Sequence, residues 1–119
     1  MVAGNVTPEN NKTATVYGVT NVTYDTSNRV CKPANTFYTA YAYISTNGPV
    51  TVTYIWQQSD GNNSGKYTLT FTEASTEATV PRKWSQGIAS SHTTRWVRIV
   101  VTSPTYQEFS KAILPDLCY

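Results

Sequence analysis

The two cysteines, Cys31 and Cys118, are the residues whose types most directly suggest a chemistry. They form no C-x-x-C pair, and the lone histidine, His92, cannot complete a zinc site with them. In a chain rich in threonine and tyrosine, one disulfide is the favoured interpretation, and two buried free thiols are the alternative. The covalent loop would span 118 − 31 = 87 residues. Closing a loop of that length stabilises a fold by at most about 4–5 kcal/mol in the chain-entropy treatment.

Catalytic chemistry finds little support among the titratable residues. His92 lies in a run of serine and threonine, and an exposed loop histidine is favoured over a Ser–His pair. A triad also needs an orienting carboxylate and an oxyanion hole, and the sequence contains no G-x-S-x-G elbow. Nothing indicates the facing carboxylates of a glycosidase. We therefore expect no enzyme and no cofactor. The carboxylates fall mainly in turns or at strand ends: Glu9, Asp25, Asp60, Glu73, Glu77, Glu108 and Asp116.

One polar loop has the composition of a weak cation site. Residues 60–65 (DGNNSG) supply oxygen ligands at short spacing. They lack the alternating acidic order and the closing glutamate of a calcium loop. A turn between two strands is therefore the favoured interpretation, with calcium as the weaker alternative, and we expect no metal site.

Composition favours a β-rich protein outside the cell. The 119 residues suit one domain, only 13% are charged, and the strand-forming residues threonine and tyrosine are abundant. The net charge of +2, without a lysine–arginine cluster, argues against nucleic-acid binding. No apolar run approaches the ~20 residues of a membrane span, so we expect this segment not to insert into a membrane. Sequons at Asn5, Asn11, Asn21 and Asn62 are compatible with secretion.

Alternating apolar and polar residues, interrupted by turn residues, predict an all-β chain. A polar lead-in, residues 1–13, is expected to be flexible, and one domain is expected over residues 14–119. Pro81 cannot donate to a ladder, so its segment should be an edge strand or a bulge. Turns about every eight to twelve residues are typical of a β-sandwich. The predicted strands cover residues 14–24, 36–46, 50–58, 66–72, 76–84, 95–102 and 107–118, with residues 25–28 ending the first.

A series of apolar and turn motifs follows in order: Cys31-Lys32-Pro33, Gly48-Pro49, Val52-x-Tyr54-x-Trp56, Ser59-Asp60-Gly61, Leu69-x-Phe71, Val80, Trp84, Trp96-Val97-Arg98-Ile99, Ser103-Pro104 and Cys118. With them, residues 31–118 resemble a bacterial extracellular immunoglobulin-like module. Such modules occur in surface proteins and in the ectodomains of some membrane-anchored serine/threonine kinases. The resemblance implies an immunoglobulin-like antiparallel β-sandwich of about seven strands, with Trp56 in the core. It also implies a Cys31–Cys118 bridge from the start of the second strand to the end of the last.

The second strand departs from this resemblance by carrying three aromatic residues where threonine or small residues are expected. If Ala40, Ala42 and Ile44 face the core, as the resemblance implies, these aromatic side chains stand outside. There they could stack on sugar rings or anchor a protein partner. The alternatives are a reversed phase, with the tyrosines in the core, or tyrosines that merely line a wet surface. The candidate binding face, to which an out-of-phase tryptophan is added, comprises Phe37, Tyr41, Tyr43 and Trp96.

Three functions suit this pattern. The favoured hypothesis is a non-catalytic extracellular module that serves in adhesion, in sensing or as a spacer, with a protein or glycan at the cell surface as its partner. The second is a carbohydrate-binding module that uses the exposed aromatics. The third is a structural subunit of a pilus, a surface layer or a virion, because low charge and many threonines suit close packing. The sequence does not name the ligand.

Overall fold

The protein folds into two antiparallel β-sheets. A computed structural model describes residues 16–88 and 94–118, so the expected lead-in, residues 1–13, and His92 lie outside the described residues. One sheet has the order β1-β2-β5, built from β1 (Val19–Lys32), β2 (Asn35–Thr46) and β5 (Ser75–Gln86). The other has the order β4-β3-β6-β7, with β8 also paired to β6; its strands are β3 (Val50–Gln58), β4 (Tyr67–Phe71), β6 (Trp96–Ser103), β7 (Gln107–Glu108) and β8 (Ala112–Ile113).

The alternation in the sequence decides which face of each strand is buried. In β2 the even-numbered residues from Thr36 to Thr46 are buried and the odd-numbered ones are not, and β3 follows the same rule from Val52 to Gln58. Successive side chains of a strand point to opposite faces, so each sheet presents one apolar face to the other. Trp56 is fully buried in this core, as expected.

Contacts between the sheets show that they form a sandwich. The ring of Tyr24 on β1 lies 6.3 Å, centroid to centroid, from that of Trp56 on β3. The Tyr24 hydroxyl accepts a hydrogen bond of 2.9 Å from the backbone N–H of Ile99 on β6. The shared core draws on both sheets and includes Val22, Tyr38, Ala40, Ala42, Ile44, Val52, Trp56, Val80, Val97, Ile99 and Val101.

The order of the strands follows the immunoglobulin plan. In a constant-type domain, strands A, B, E and D form one sheet and C, F and G form the other. Here β1-β2-β5 corresponds to A-B-E, and β3-β6-β7 corresponds to C-F-G. The fourth strand, β4, pairs with β3 instead of with β5. The strand β5 is therefore a free edge, which explains why Pro81 is accommodated in the middle of it.

The first strand is longer than the sequence predicts. Residues 25–28 were expected to end it, but β1 continues to Lys32 with a register shift between Asp25 and Asn28. The Asp25 Oδ1 atom accepts hydrogen bonds from the Ser27 backbone N–H (3.0 Å) and hydroxyl (2.7 Å). This local turn absorbs the extra residue as a bulge, and pairing with β2 resumes beyond it. Because β1 continues, Cys31 lies near the end of the first strand and not at the start of the second.

The seventh predicted strand is also wrong in its extent. Residues 107–118 form only the short strands β7 and β8, followed by an irregular tail. Two residues of that tail, Leu114 and Leu117, are buried between the sheets. The Arg29 guanidinium donates a short hydrogen bond of 2.6 Å to the Asp116 carbonyl oxygen, which ties the tail to β1. The tail thus closes one end of the sandwich, which we call the Cys31 end.

Candidate binding surface

The outer face of the β1-β2-β5 sheet carries the three aromatic residues of β2 that were predicted to face outward. Ala40, Ala42 and Ile44 are completely buried, so the phase is the one that the resemblance implied. Tyr41 and Tyr43 are half-buried, and Phe37 is 39% exposed. We call the row of Phe37, Tyr41 and Tyr43 the aromatic stripe. Because β2 is the central strand, the stripe runs along the middle of this sheet.

The two halves of the stripe have different neighbours. Around the tyrosines the surface is mixed, since Tyr41 lies between Asp25 of β1 and Pro81 of β5. Phe37 lies between Val30, which is 47% exposed, and Ser85. Phe37 is therefore the most accessible ring of the stripe, and its surroundings are the least acidic.

A shallow hollow lies beside Phe37. It has a volume of about 320 Å³ and is lined by Phe37, Tyr38, Thr39, Lys83, Trp84 and Ser85. These residues are three consecutive pairs of the β2–β5 ladder, with Tyr38 opposite Trp84 at the centre. Two of these pairs face outward. One supplies the Phe37 ring and the Ser85 hydroxyl, and the other supplies the Thr39 hydroxyl and the Lys83 ammonium group.

A second lysine lies near the same ring. The Lys32 Nζ atom lies 5.9 Å from the centroid of the Phe37 ring, within the range of a cation–π contact. Lys32 and Lys83 are both exposed. In residues 16–88 and 94–118 neither forms an ion pair with a carboxylate. This end of the outer face is therefore positively charged and apolar together.

Trp96, the fourth residue of the predicted face, does not join the stripe. It lies on β6, in the other sheet, where its ring is half-buried on the outer face. Lys111 Nζ lies 4.4 Å from the ring centroid and the Arg98 guanidinium lies 5.6 Å from it. Arg98 is itself held by Gln57, at 2.6 Å, and by Glu108, at 3.6 Å. The sequence left open whether Trp96 packs on the opposite face of its strand or is partly exposed, and it could not reveal to which of the two sheets that strand belongs.

The cysteines form the disulfide that the sequence favoured. Their Cα atoms lie 5.8 Å apart, Cys31 is exposed and Cys118 is buried. The backbone N–H of Cys118 donates to the Thr36 hydroxyl at 2.9 Å, and that hydroxyl donates to the Gly87 carbonyl oxygen at 3.2 Å. The disulfide and these two hydrogen bonds therefore fix the tail to the end of β2 that carries Phe37. A disulfide is compatible with an extracellular or otherwise oxidising location.

A polar network at the Cys31 end was missed by sequence reasoning. The Arg82 Nε atom donates to the Gln58 side-chain oxygen at 2.9 Å, and Gln58 is buried. The Asp60 carboxylate accepts from the side-chain amide of Gln86 at 2.7 Å and from the Asn62 backbone N–H at 2.9 Å. The sequence contained one indication of this network: Gln58 occupies an inward-facing position that continues the buried face of β3.

The same network explains why the loop at residues 60–65 is a turn. The Asp60 side chain is already surrounded by amide donors, and Gly61 has a φ of 86°, the left-handed conformation that glycine adopts without strain. Among the described residues, no three His, Cys, Asp or Glu side chains group as metal ligands.

Comparison of the chain with models of known families, with curated proteins and with solved structures finds no match. Residues 16–88 and 94–118 contain no helix with the length and hydropathy that a membrane span requires.

Proposed function

We propose that this chain is a non-catalytic, immunoglobulin-like module of a surface or secreted protein, acting in adhesion, in sensing or as a spacer. The observation that carries the proposal is the aromatic stripe on the outer face of the β1-β2-β5 sheet. The core is complete behind it, with Ala40, Ala42 and Ile44 fully buried, so the core does not require aromatic residues on the outer side. Exposed aromatic surface offers a large contact area at a low cost in side-chain entropy.

The disulfide and the composition support an extracellular setting. The Cys31–Cys118 bond persists only where thiols are not kept reduced, and low charge with abundant threonine suits a secreted β-sandwich. The resemblance to bacterial surface modules points the same way. The partner would be a protein or a glycan of the cell surface.

The experiment that tests this proposal examines location and redox state together. Intact cells that produce the protein are treated with a membrane-impermeant amine label and with a thiol-alkylating reagent before lysis, and residues 16–118 are analysed by mass spectrometry. We expect labelled lysines together with unalkylated, disulfide-linked cysteines. Two alkylated thiols, or label that reaches the lysines only after lysis, would overturn the proposal.

A second candidate function, carbohydrate binding, is favoured by one specific observation. The hollow beside Phe37 combines an accessible aromatic ring with the Thr39 and Ser85 positions on either side of its centre. A sugar offers apolar C–H groups on one face of its ring and hydroxyl groups at the rim, which this arrangement complements. In this candidate function the sugar would lie beside Phe37, whereas the sequence alone had suggested Tyr41 and Tyr43, with Trp96 as a further contact.

A further inference from the structure

We infer that the hollow beside Phe37 binds an acidic sugar, that is, a uronic-acid unit of a polysaccharide, with the ring stacked on Phe37 and the carboxylate held by Lys83, while Lys32 adds positive charge on the other side of Phe37. This inference deepens the carbohydrate-binding function proposed above and rests on it. It adds that the ligand is negatively charged, and it names the side chains that bind or attract this charge.

The size of the hollow sets the scale of the ligand. A volume of about 320 Å³ is at the lower end of the range for small-molecule sites, roughly 300–1,000 Å³. The hollow therefore accommodates one sugar unit, and the rest of a polysaccharide would extend along the surface of the sheet. Because the hollow is open and shallow, we expect weak binding that relies on repeated units or several modules.

The floor of the hollow is rigid. The β2–β5 ladder runs from Thr36 to Ile44 without a register shift. Beneath it, the ring of Tyr38 stacks on that of Trp84 at 5.1 Å, and the Tyr38 hydroxyl donates to the Pro115 carbonyl oxygen at 2.7 Å. A site on paired strands, supported from below by packing and hydrogen bonds, loses little freedom when a ligand binds.

The charge around the hollow selects an anion. Its lining residues include one lysine and no carboxylate, and Lys32 lies on the other side of Phe37. On this face, the Asp25 carboxylate lies opposite Tyr41 and is engaged by Ser27. A carboxylated sugar matches this combination, because it presents an apolar ring face and a negative charge on the same unit.

The cluster at Trp96 is a weaker candidate for the same ligand. Both of its cations already lie over the tryptophan ring, and Arg98 is engaged by Gln57 and Glu108. A sugar would have to displace these groups before it could stack. At Phe37 one cation, Lys32, lies over the ring at 5.9 Å, so a sugar has one exposed lysine to displace instead of two cations, and no carboxylate of the described residues competes for it.

The test compares two tetrasaccharides that differ only at C6, where one carries neutral hydroxymethyl groups and the other carries carboxylates. Cellotetraose and its C6-oxidised form, a β-1,4-linked glucuronate tetramer, are titrated into the ¹⁵N-labelled disulfide-bonded chain, and amide shifts are followed by NMR. A glutamate tetramer serves as the non-sugar anion. We expect saturable shifts at residues 37–39 and 83–85 with the glucuronate, at least about threefold weaker binding of the neutral sugar, and no saturable binding of the peptide.

Variants assign the binding to individual residues. Phe37→Ala should weaken glucuronate binding about tenfold, since base–aromatic and aromatic pair stacking are of that order. Lys83→Gln should weaken it about threefold and bring it close to that of the neutral sugar, as expected for one exposed ion pair. Tyr106→Ala and Lys66→Gln, at exposed positions outside the hollow, are the matched controls and should bind like the parent chain.

Several results would overturn the inference and leave the proposed extracellular role standing. They are equal binding of the neutral tetramer, equal binding of the glutamate peptide, shifts centred on Trp96 and Lys111, or no saturable shift. Failure of the labelling experiment on intact cells would instead overturn the proposed function, whatever the sugars do. The two experiments are thus independent in their readouts.

Discussion

The hydroxyl of Tyr38 donates a hydrogen bond of 2.7 Å to the carbonyl oxygen of Pro115, 77 residues further along the chain. Its ring is 1% exposed and stacks on Trp84. One side chain of β2 therefore holds the tail in place and also supports the floor of the hollow beside Phe37. The stability of the Cys31 end and the shape of the hollow depend on the same residue.

Removing this hydroxyl should destabilise the fold without disturbing the core. In Tyr38→Phe the ring stack stays, but the Pro115 carbonyl loses its donor, so we expect a decrease of about 1 kcal/mol in the free energy of unfolding. Urea denaturation followed by tryptophan fluorescence measures it. Tyr67→Phe, at a 46% exposed edge position, is the matched control and should change stability much less. Equal effects of the two changes would contradict this account of Tyr38.

Loss of the disulfide should lower stability substantially. The bond closes a separation of 87 residues and fixes the buried tail, so Cys31→Ala combined with Cys118→Ala should cost about 2–5 kcal/mol. Reductant should lower the urea midpoint of the parent chain and leave that of the double variant unchanged. A parent chain whose midpoint does not respond to complete reduction, confirmed by thiol counting, would show that the tail is held without the bond.

A side chain at position 48, in place of Gly48, should destabilise the fold. Gly48 is buried, and a Cβ atom there would overlap the ring of Tyr17, which the Asn47–Gly18 hydrogen bonds (3.0 and 3.3 Å) hold nearby. We expect Gly48→Ala to cost about 1–3 kcal/mol of unfolding free energy, as overpacking does.

A double-mutant cycle separates this overlap from other effects of the alanine. In the Tyr17→Ala background, Gly48→Ala should cost little, because the overlapping ring is gone. Gly65→Ala is the matched control, since no atom lies within 4 Å of the Cβ position there. Additive costs in the cycle would show that Tyr17 is not the obstacle.

Stability should fall in alkaline solution because of buried tyrosines. Burial raises the pKa of Tyr24, Tyr38 and Tyr54 above the ordinary value; for Tyr24, burial outweighs the lowering by the Ile99 N–H and by the positive charge of Arg98. The native state therefore holds these protons more tightly than the unfolded state does. Their contribution is fully present below about pH 10, the pKa of an unfolded tyrosine, and is lost as pH rises through the folded pKa values.

The urea midpoint, measured from about pH 8 to about pH 11.5, checks this expectation. We expect a decline that begins near pH 10 and is less steep in Tyr24→Phe than in the parent chain. An identical decline in Tyr24→Phe and the parent chain would show that the burial of Tyr24 does not contribute.

Much of the fold was predictable because apolar and polar residues alternate regularly in the central strands. The bounds predicted for the third strand, residues 50–58, agree with β3. The phase of β2 is the one that the resemblance implied, although the residues alone left the reversed phase open. Pro81 indicated an edge strand or a bulge, and β5 is an edge strand. These features depend on side-chain type and spacing, which one sequence records directly.

The errors arose where a short-range pattern competed with long-range pairing. Residues 25–28 have turn chemistry, and they do form a local turn at Asp25, but pairing with β2 continues beyond it. Residues 107–118 were predicted to form one strand, yet the tail is held by side-chain contacts from β1 and β2 instead of by a ladder. Sheet membership of Trp96 and the hollow at Phe37 depend on which strands become neighbours, which no local pattern encodes.

The disulfide also has a mechanical consequence. Val19, at the beginning of β1, pairs with Thr46 of β2, and Cys31, near the end of β1, pairs with Thr36. The stretch of β1 from Val19 to Cys31 therefore lies along 46 − 36 = 10 residues of β2. Tension applied between Tyr17 and Cys118 travels along β1 and crosses the sulfur–sulfur bond, so that residues 32–117 bear none of it along their main chain. Because β1 is already extended, even complete loss of its pairing would lengthen this path by only about a tenth. Under load the sandwich is a tether of nearly constant length.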